Sequence, residues 1–271
     1  MTRIGPITRQ RRHTLYFLEF ASTVRPVFLD TEVDMSAVRG HRADARLDGR
    51  RLSWTTYVVH AAGRVLAAHP EANAAIRGGF PPKVARYDAV HAKITLDRTL
   101  GGHRVVLSTV LPGVDTASLD ELQQRIDAYR DGDPDQMAEF DRVRALHRLP
   151  YPLGALAFRL TLRSLRRRPG SMGTLAVTSL GHSAVDGFHS VGGTPITLGL
   201  GRVLDRPVVR DGQLAIAPVM RLNLAFDHRV IDGAEAADVL TELKRALENY
   251  GEPPAGGLEV PEHETDTAEV G

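Results

Sequence analysis

The sequence predicts an α/β domain, because segments with the period of a strand occur together with segments that have the period of a helix. Residues 27–35 alternate between two sets of side chains, as expected for a half-buried strand. Residues 54–69 are largely apolar and end before Pro70, which is typical of a buried helix. A closing helix is predicted over about residues 234–249, and one of its faces carries Ala236, Val239, Leu240, Leu243 and Leu247.

The composition excludes several classes of function. With 271 residues the chain can bury a sizeable single core, and 42% hydrophobic with 25% charged residues is ordinary for a globular domain. A net charge of +1 gives no reason to expect nucleic-acid binding. The absence of cysteine excludes disulfides, thiolate metal ligands and a cysteine nucleophile. Without an 18-residue apolar run or a signal-like start, we expect a cytoplasmic protein that does not contact membranes.

Further strands and one capped helix are predicted in the middle of the chain. Residues 87–96 and 103–111 resemble strands separated by two glycines, which suits a hairpin or a longer connection. Ser118 with Glu121 forms a capping box at the start of a helix over residues 119–130.

Three more strands are predicted toward the C-terminal part, over residues 196–200, 208–216 and 219–226. Asp211-Gly212 is a hairpin turn signal inside the second of them. Pro218 precedes the third, where the missing N–H costs least.

An arginine-rich amphipathic helix is predicted over residues 153–168. Its simplest interpretation is a helix packed on the domain with a solvated basic face. The alternatives are binding to the phosphates of a coenzyme, to an acidic carrier protein or to a membrane surface. Its basic residues are Arg159, Arg163, Arg166, Arg167 and Arg168.

The domain organisation is predicted to be simple. Residues 1–8 are expected to form a flexible N-terminus, and residues 9–250 a single catalytic domain. Residues 251–271 are rich in proline and glycine and then acidic, so a disordered tail is expected.

The most informative segment ends a predicted strand with His228, which is followed by Asp232 and Gly233. A histidine at a rigid strand end is well placed for proton transfer, although a histidine beside a carboxylate is more often structural. Phe226–Gly233 resembles the D-H-R-x-x-D-G signature of the catalytic domain of dihydrolipoyl acyltransferases, the core subunits of 2-oxo acid dehydrogenase complexes. The chloramphenicol acetyltransferases share that fold and carry the related H-x-x-x-D-G.

Two other segments extend the resemblance over about residues 9–250. Gly173–Gly181 is similar to the family's G-T-F-T-I-S-N-L-G, and the helix from Trp54 leads to His69–Asn73, which is similar to H-P-x-x-N. The resemblance implies a chloramphenicol acetyltransferase-like two-layer sandwich with a mixed β-sheet and packed helices.

The resemblance also implies catalytic roles. His228 would be the general base that deprotonates an acceptor hydroxyl or thiol as it attacks the thioester of acetyl-CoA or another acyl-CoA. Thr178 aligns with the family's serine that stabilises the oxyanion, and Ser179 is the alternative. Acetyl-CoA is expected to act as co-substrate with no bound cofactor, and the residues that bind it are unknown.

The loop that carries the histidine is expected to be held by Asp232. In the chloramphenicol enzymes the matching carboxylate pairs with an arginine near the N-terminus, for which Arg11 is the first candidate and Arg12 the second. Gly233 is expected to be a structural residue. His182, His189 and His263 have no companion at metal-ligand spacing, and no H-E-x-x-H or C-x-x-C occurs, so no metal site is expected.

The resemblance implies a homotrimer with active sites between subunits. Because it begins near residue 9, without lipoyl or subunit-binding domains, we expect a stand-alone enzyme. The preferred function is O-acetylation of a hydroxyl on a small molecule, such as a tetronate polyketide in natural-product biosynthesis. The alternatives are a dihydrolipoamide acyltransferase acting on a separately encoded lipoyl domain, release or condensation of a polyketide carried by another protein, and a catalytically silent trimeric scaffold.

Overall fold

A computed structural model describes residue 2 and residues 5–251. These residues include the whole predicted catalytic domain. Three of the eight residues of the predicted flexible N-terminus, and the predicted acidic tail after Gly251, lie outside the described residues.

A six-stranded mixed sheet forms the centre of the domain, with the strand order β1-β8-β7-β6-β4-β5. The short strand β6 is parallel to both of its neighbours, and the other pairs are antiparallel. A separate two-stranded hairpin is formed by β2 and β3. The strands are β1 Pro26–Asp34, β2 Ala74–Arg77, β3 Lys83–Arg86, β4 Ala92–Leu100, β5 His103–Leu111, β6 Leu175–Ser179, β7 Ile196–Arg210 and β8 Gln213–Asp227.

Helices cover the sheet. The largest core forms between one face of the sheet and helices α2, α3, α4 and α8, as the predicted two-layer sandwich requires. No described helix has both the length and the apolar character needed to cross a membrane. The helices are α1 Arg12–Ala21, α2 Ser36–Leu47, α3 Trp54–Ala68, α4 Leu119–Asp131, α5 Asp141–Arg148, α6 Tyr151–Arg163, α7 Pro169–Met172 and α8 Gly233–Glu248.

Several predicted elements are confirmed. The strand at residues 27–35 is β1, and the apolar helix is α3, which ends at Ala68. Both halves of the predicted capping box are present at the start of α4. In α8 all five predicted core positions are buried, because residues with a 3.6-residue period all face the sheet.

The division of residues 196–226 into three strands is wrong, because the structure has two strands there. β7 and β8 are two arms of one long hairpin whose turn is Asp211-Gly212, and a β-bulge interrupts β7 after Leu200. The predicted strand at residues 208–216 therefore consists of the tips of both arms. Pro218 lies inside β8, opposite Asp205, and not before the strand.

Two other boundaries also differ. Residues 87–91 do not join β4, because the side-chain amide of Asn73 donates to the carbonyls of Tyr87 and Ala89. The predicted basic helix ends at Arg163, and Arg168 follows it as a buried side chain that donates to two backbone carbonyls. Helices α1, α2 and α5 and the β2–β3 hairpin have no counterpart in the sequence predictions.

Candidate active site

His228 follows the last residue of β8 directly. Its backbone N–H donates to the carbonyl of Arg25 at 2.9 Å, which ties the residue to the segment that leads into β1. Its imidazole ring lies 5.3 Å from the ring of Phe226, a core residue. The side chain is 44% exposed, so a rigid support presents an accessible ring.

Asp227 fixes the loop that carries His228. Its side chain is 5% exposed, and its carboxylate forms an ion pair with the guanidinium of Arg229 at 2.5 Å. The carboxylate also accepts the backbone N–H groups of Arg25, at 3.3 Å, and of Arg229, at 3.2 Å. A buried charge with this many donors is stabilised in place, so Asp227 is the main anchor of the loop. This role of Asp227 was not predicted from the motif.

Asp232 lies beside the imidazole ring of His228 and forms no ion pair with a described arginine. Its Oδ1 lies 3.4 Å from Nδ1 of His228, and its side chain is 90% exposed. Among the described residues, neither Arg11 nor Arg12 forms an ion pair, and Arg12 instead donates to the carbonyl of Leu149 at 2.8 Å. The expected pair between Asp232 and one of these arginines is therefore absent within the described chain, where the pair of Asp227 and Arg229 lies in the same loop.

Gly233 begins α8, with Asp232 at the N-cap position. An added Cβ at Gly233 would meet no atom within 4 Å. Contacts within the chain therefore do not explain a structural requirement for glycine at this position.

The structure distinguishes the two candidate hydroxyls by the direction of their side chains. Leu175 and Val177 on β6 point into the main core, so Thr178 points to the opposite face of the sheet. Thr178 is half-buried and takes part in no side-chain hydrogen bond with residues 5–251. Ser179 follows Val177 by two residues, so its side chain lies on the same face of the sheet as the core residues. Its hydroxyl accepts the N–H of Gly181 at 3.4 Å. Neither hydroxyl donates to residues 5–251, and the two differ in the face of the sheet on which they lie.

The face of the sheet that carries Thr178 is crossed by the segment after β6. Glycines on β7 permit this close passage, because a Cβ on Gly199 would lie 2.3 Å from the carbonyl oxygen of Phe188. Asn223, on the neighbouring strand, donates to the carbonyl of Gly199 at 3.2 Å and is buried. The face of the sheet that lies opposite the main core is therefore polar and partly lined by backbone.

Lys93 is a buried basic residue on this face. Its ammonium group donates to the carbonyl of Gly192 and lies 4.5 Å from the centre of the Phe17 ring. Burial lowers the pKa of Lys93 to about 7. Sequence reasoning missed this residue, because a single lysine in a strand gives no signal of burial.

Thr178 and His228 are far apart within one chain. Thr178 pairs with Gly199, and Gly199 pairs with Asn223, five residues before His228. With a rise of ~3.3 Å per residue and two strand spacings of ~4.8 Å, the two side chains are separated by roughly 15–20 Å. One chain therefore cannot bring both groups to the same reacting atoms.

A cavity of about 430 Å³ lies beside the His228 loop. It is bounded by α6, the β2–β3 hairpin and Asp227, Arg229 and Val230. Several arginines of the predicted basic helix line it, whereas Arg166 and Arg167 do not. Within residues 5–251 no cluster of three or more histidine, aspartate or glutamate side chains is suited to hold a metal.

Comparison with known proteins shows which catalytic domain the C-terminal part of the chain resembles. The family model described as 2-oxoacid dehydrogenases acyltransferase (catalytic domain) matches residues 155–253. The dihydrolipoyllysine-residue acetyltransferase component of the pyruvate dehydrogenase complex from Bacillus subtilis is 42% identical over 73 residues. That alignment covers 26% of this chain and 16% of the relative, so the chain matches a small part of the length of such proteins.

Solved structures share the fold over nearly the whole chain. A probable dihydrolipoamide acetyltransferase from Listeria monocytogenes has a TM-score of 0.67 at 18% identity, covering 94% of this chain and 97% of that one. The cubic core of the pyruvate dehydrogenase multienzyme complex has a TM-score of 0.67 at 20% identity, covering 92% of both chains.

The fold is thus the one seen in these two structures, which confirms the predicted fold class. More particularly, residues 155–253 resemble the catalytic domain of 2-oxoacid dehydrogenase acyltransferases, as the motifs predicted. The predicted enzyme class agrees with the relatives of this region, which are acetyltransferases and therefore acyltransferases.

Proposed function

We propose that this chain is an acyltransferase that moves an acyl group between coenzyme A and a thiol of a dihydrolipoyl group. The observation that carries the proposal is the segment Phe226–Gly233, which presents His228 at the end of β8. This segment lies inside residues 155–253, whose relatives are named dihydrolipoyllysine-residue acetyltransferases.

His228 is the general base of the proposed reaction. The carboxylate of Asp232 faces Nδ1 at 3.4 Å, and a nearby carboxylate favours the tautomer that carries its proton on that nitrogen. Nε2 is then free to accept the proton of the acceptor thiol as its sulfur attacks the thioester carbonyl.

The tetrahedral intermediate requires a donor for its oxyanion. We assign this role to the hydroxyl of Thr178, with Ser179 as the alternative. When the intermediate collapses, the bond to the sulfur of coenzyme A breaks, and the proton held by His228 passes to the departing thiolate. The acceptor sulfur keeps the acyl group, so no other reactant is needed.

The proposed assembly is a homotrimer in which His228 of one subunit meets Thr178 of the next. The separation of the two residues within one chain supports this arrangement, because a shared site needs a second copy. The high exposure of His228 and Asp232 is consistent with a surface that a neighbour covers. The similar fold of a chain that forms a cubic core adds support.

The relatives favour a dihydrolipoyl thiol over the hydroxyl acceptor that the sequence analysis preferred. Their names specify a dihydrolipoyllysine residue, and no described contact of His228 selects a hydroxyl. A thiol is also the easier nucleophile for a histidine base to activate, since its intrinsic pKa of ~8.5 lies much closer to neutral. O-acetylation of a small molecule is therefore the competing outcome of the test.

The experiment supplies acetyl-CoA to the purified chain with either dihydrolipoamide or a hydroxymethyl tetronate and follows the products by mass spectrometry. We expect S-acetyl-dihydrolipoamide that depends on His228. The His103→Ala variant is a suitable control, because His103 is an exposed residue of β5 away from the His228 loop. An O-acetylated product without any thioester product would contradict the proposed acceptor.

A further inference from the structure

His69, which follows the last residue of α3, lies between two carboxylates of α8. Its Nδ1 is hydrogen-bonded to Oε1 of Glu235 at 2.7 Å, and its Nε2 lies 3.1 Å from Oε2 of Glu242. The side chain of His69 is 13% exposed, so the ring is largely shielded from water. A neutral imidazole has only one N–H, and a carboxylate at each nitrogen therefore favours the doubly protonated, charged ring.

The two carboxylates also act on the charge of this ring. Burial lowers the pKa of His69, but the contacts with Glu235 and Glu242 and their negative charges raise it above the ordinary 6.5. Because the folded pKa is raised, the contribution of the charged ring is complete below the ordinary value. It is lost as the pH rises through the folded pKa.

The position of Glu235 connects this cluster with the candidate active site. Glu235 lies in the first turn of α8, three residues after Asp232, which occupies the N-cap position. Glu242 follows Glu235 by seven residues and lies on the same face of the helix, about two turns further on. One ring thus restrains two turns of α8 at the end of α3.

The start of α8 lacks the usual restraint by its own N-cap side chain. The carboxylate of Asp232 makes no capping hydrogen bond and instead faces Nδ1 of His228 at 3.4 Å. Asp232, Gly233 and Ala234 are all exposed. Within residues 5–251, the contact between Glu235 and His69 is therefore the first polar side-chain contact of the helix after its N-cap.

We propose that His69 is a positioning residue for acyl transfer, which holds the first turn of α8 so that Asp232 stays in place beside His228. This inference rests on the proposed acyltransferase function and adds to it a residue that does not touch the substrate. The restraint passes from His69 to Glu235 and then through the backbone of the first turn to Asp232.

The first test examines the ring of His228 without any turnover. In the full chain labelled with ¹⁵N-histidine, the chemical shifts of the two ring nitrogens together separate the two neutral tautomers from the charged ring. The signals of His228 are assigned by their loss in His228→Ala. In the unaltered chain we expect the neutral ring to carry its proton mainly on Nδ1, because Asp232 faces that nitrogen. In His69→Gln we expect the population of the other tautomer to rise at least ~2-fold.

The second test measures the reaction. We expect His69→Gln to lower kcat for transfer from acetyl-CoA to dihydrolipoamide by about 10-fold, since a misplaced base slows the chemical step. The KM of either substrate should change by less than ~2-fold, because His69 does not touch them. The ratio of the two kcat values should be largest near pH 6.5 and should shrink at higher pH, where the unaltered chain itself loses the charge of His69.

His60→Gln is the matched control. His60 is another histidine of α3, and its Nδ1 lies 3.3 Å from the hydroxyl of Tyr250, just beyond the opposite end of α8. Each variant removes one histidine contact of α3, but only His69→Gln removes the contact at the end of α8 that carries Asp232. Circular dichroism and thermal melting check that both variants fold. If His69→Gln does not fold, Glu235→Gln replaces it, because it removes one carboxylate from the ring with little change of shape.

Unchanged tautomer populations of His228 in the folded variant would overturn the proposal. Equal effects of His60→Gln would also overturn it, because the loss would then reflect a general loosening of α3 and α8. If the unaltered chain transfers no acyl group while the tautomer of His228 still depends on His69, the proposed function falls and the positioning role stands. Normal transfer by His69→Gln removes only the positioning role.

Discussion

At the scale of single residues, the position of His228 depends on its neighbour Asp227. The buried carboxylate of Asp227 holds Arg229 and the backbone of Arg25. Asp232, which the motif suggested as the anchor, is 90% exposed and touches the imidazole itself. The two carboxylates therefore differ in their contacts. Asp227 holds the loop, and Asp232 faces the imidazole ring of His228.

Replacing Asp227 with Asn should disturb both the loop and the reaction. It leaves the guanidinium of Arg229 without its partner, and breaking a buried pair typically costs ~3–5 kcal/mol. A displacement of His228 by ~1 Å can lower a rate by ~10². We expect a lower melting temperature by calorimetry and a lower kcat at saturating substrate. Asp205→Asn, which removes an exposed ion pair with Arg39, should change neither quantity; an equal loss there would argue against this role of Asp227.

The sequence alone predicted the candidate site residues, but it did not predict that Asp227 anchors the loop. His228, Asp232 and Thr178 are identified by short patterns that the chain carries locally. Asp227 and its partner Arg229 belong to the same motif, but the motif does not show that Asp227 also accepts the backbone N–H of Arg25, which is 202 residues away in sequence. A single sequence contains no signal for a contact of that range.

At the scale of elements, the tips of β7 and β8 expose an apolar face. Val209 pairs directly with Leu214, and Ile216 and Pro207 are the next pair on the same face. Val209, Leu214 and Ile216 are 74%, 80% and 76% exposed. We expect this face to be covered by a neighbouring subunit, because such a cluster is costly in water.

A charge at the hairpin tip should weaken the assembly without unfolding the chain. Leu214→Asp removes apolar contact that is worth ~1.5–3 kcal/mol if the residue is fully covered. Light scattering at micromolar concentration should show smaller species than for the unaltered chain. Leu47→Asp changes another exposed leucine, at the end of α2, and serves as the control. An unchanged size for Leu214→Asp would show that the hairpin is not an interface.

The packing of α5 on α1 should be sensitive to acid. His147 on α5 and His13 on α1 face each other at 2.9 Å between Nε2 and Nδ1. Burial, followed by the charges of His13 and Arg12, lowers the pKa of His147 to about 4, and burial also lowers that of His13.

Because the folded pKa lies below the ordinary value of ~6.5, the unfolded chain binds protons more strongly, and stability falls as the pH drops through this window. The protection factors of the α5 amides, which correct for the slower intrinsic exchange in acid, should fall between about pH 6.5 and pH 4. His147→Gln should flatten that dependence, whereas His103→Ala should preserve it. An equal fall of the protection factors in His147→Gln would assign the acid sensitivity elsewhere.

Elements with a strong local period were predictable, and elements defined by distant contacts were not. Alternating side chains predict β1, and an apolar run predicts α3. A capping box predicts the start of α4, and an apolar stripe predicts α8. Helices α1 and α5 form where their side chains meet one another and α6, which no window of the sequence reveals. The long hairpin was divided wrongly because a turn and a proline interrupt its period.

At the scale of the whole molecule, the proposed reaction requires His228 of one subunit and Thr178 of another. The sheet places His228 at one end of β8 and Thr178 two strands away on β6, separated by roughly 15–20 Å. A cyclic assembly brings the same two surfaces together at every interface. The fold of one subunit is thus complete, whereas the proposed active site is formed by two.

Complementation between two inactive variants tests this claim most directly. His228→Ala should lower transfer by at least ~10² and Thr178→Ala by a similar ~10²–10³, each in a folded chain. When the two variants are co-expressed in equal amounts, about a quarter of the interfaces in a randomly mixed trimer combine an intact His228 with an intact Thr178. We predict that thioester formation by the mixed trimers returns to about a quarter of the activity of the unaltered protein. A mixed assembly no more active than its separate components would contradict the shared site.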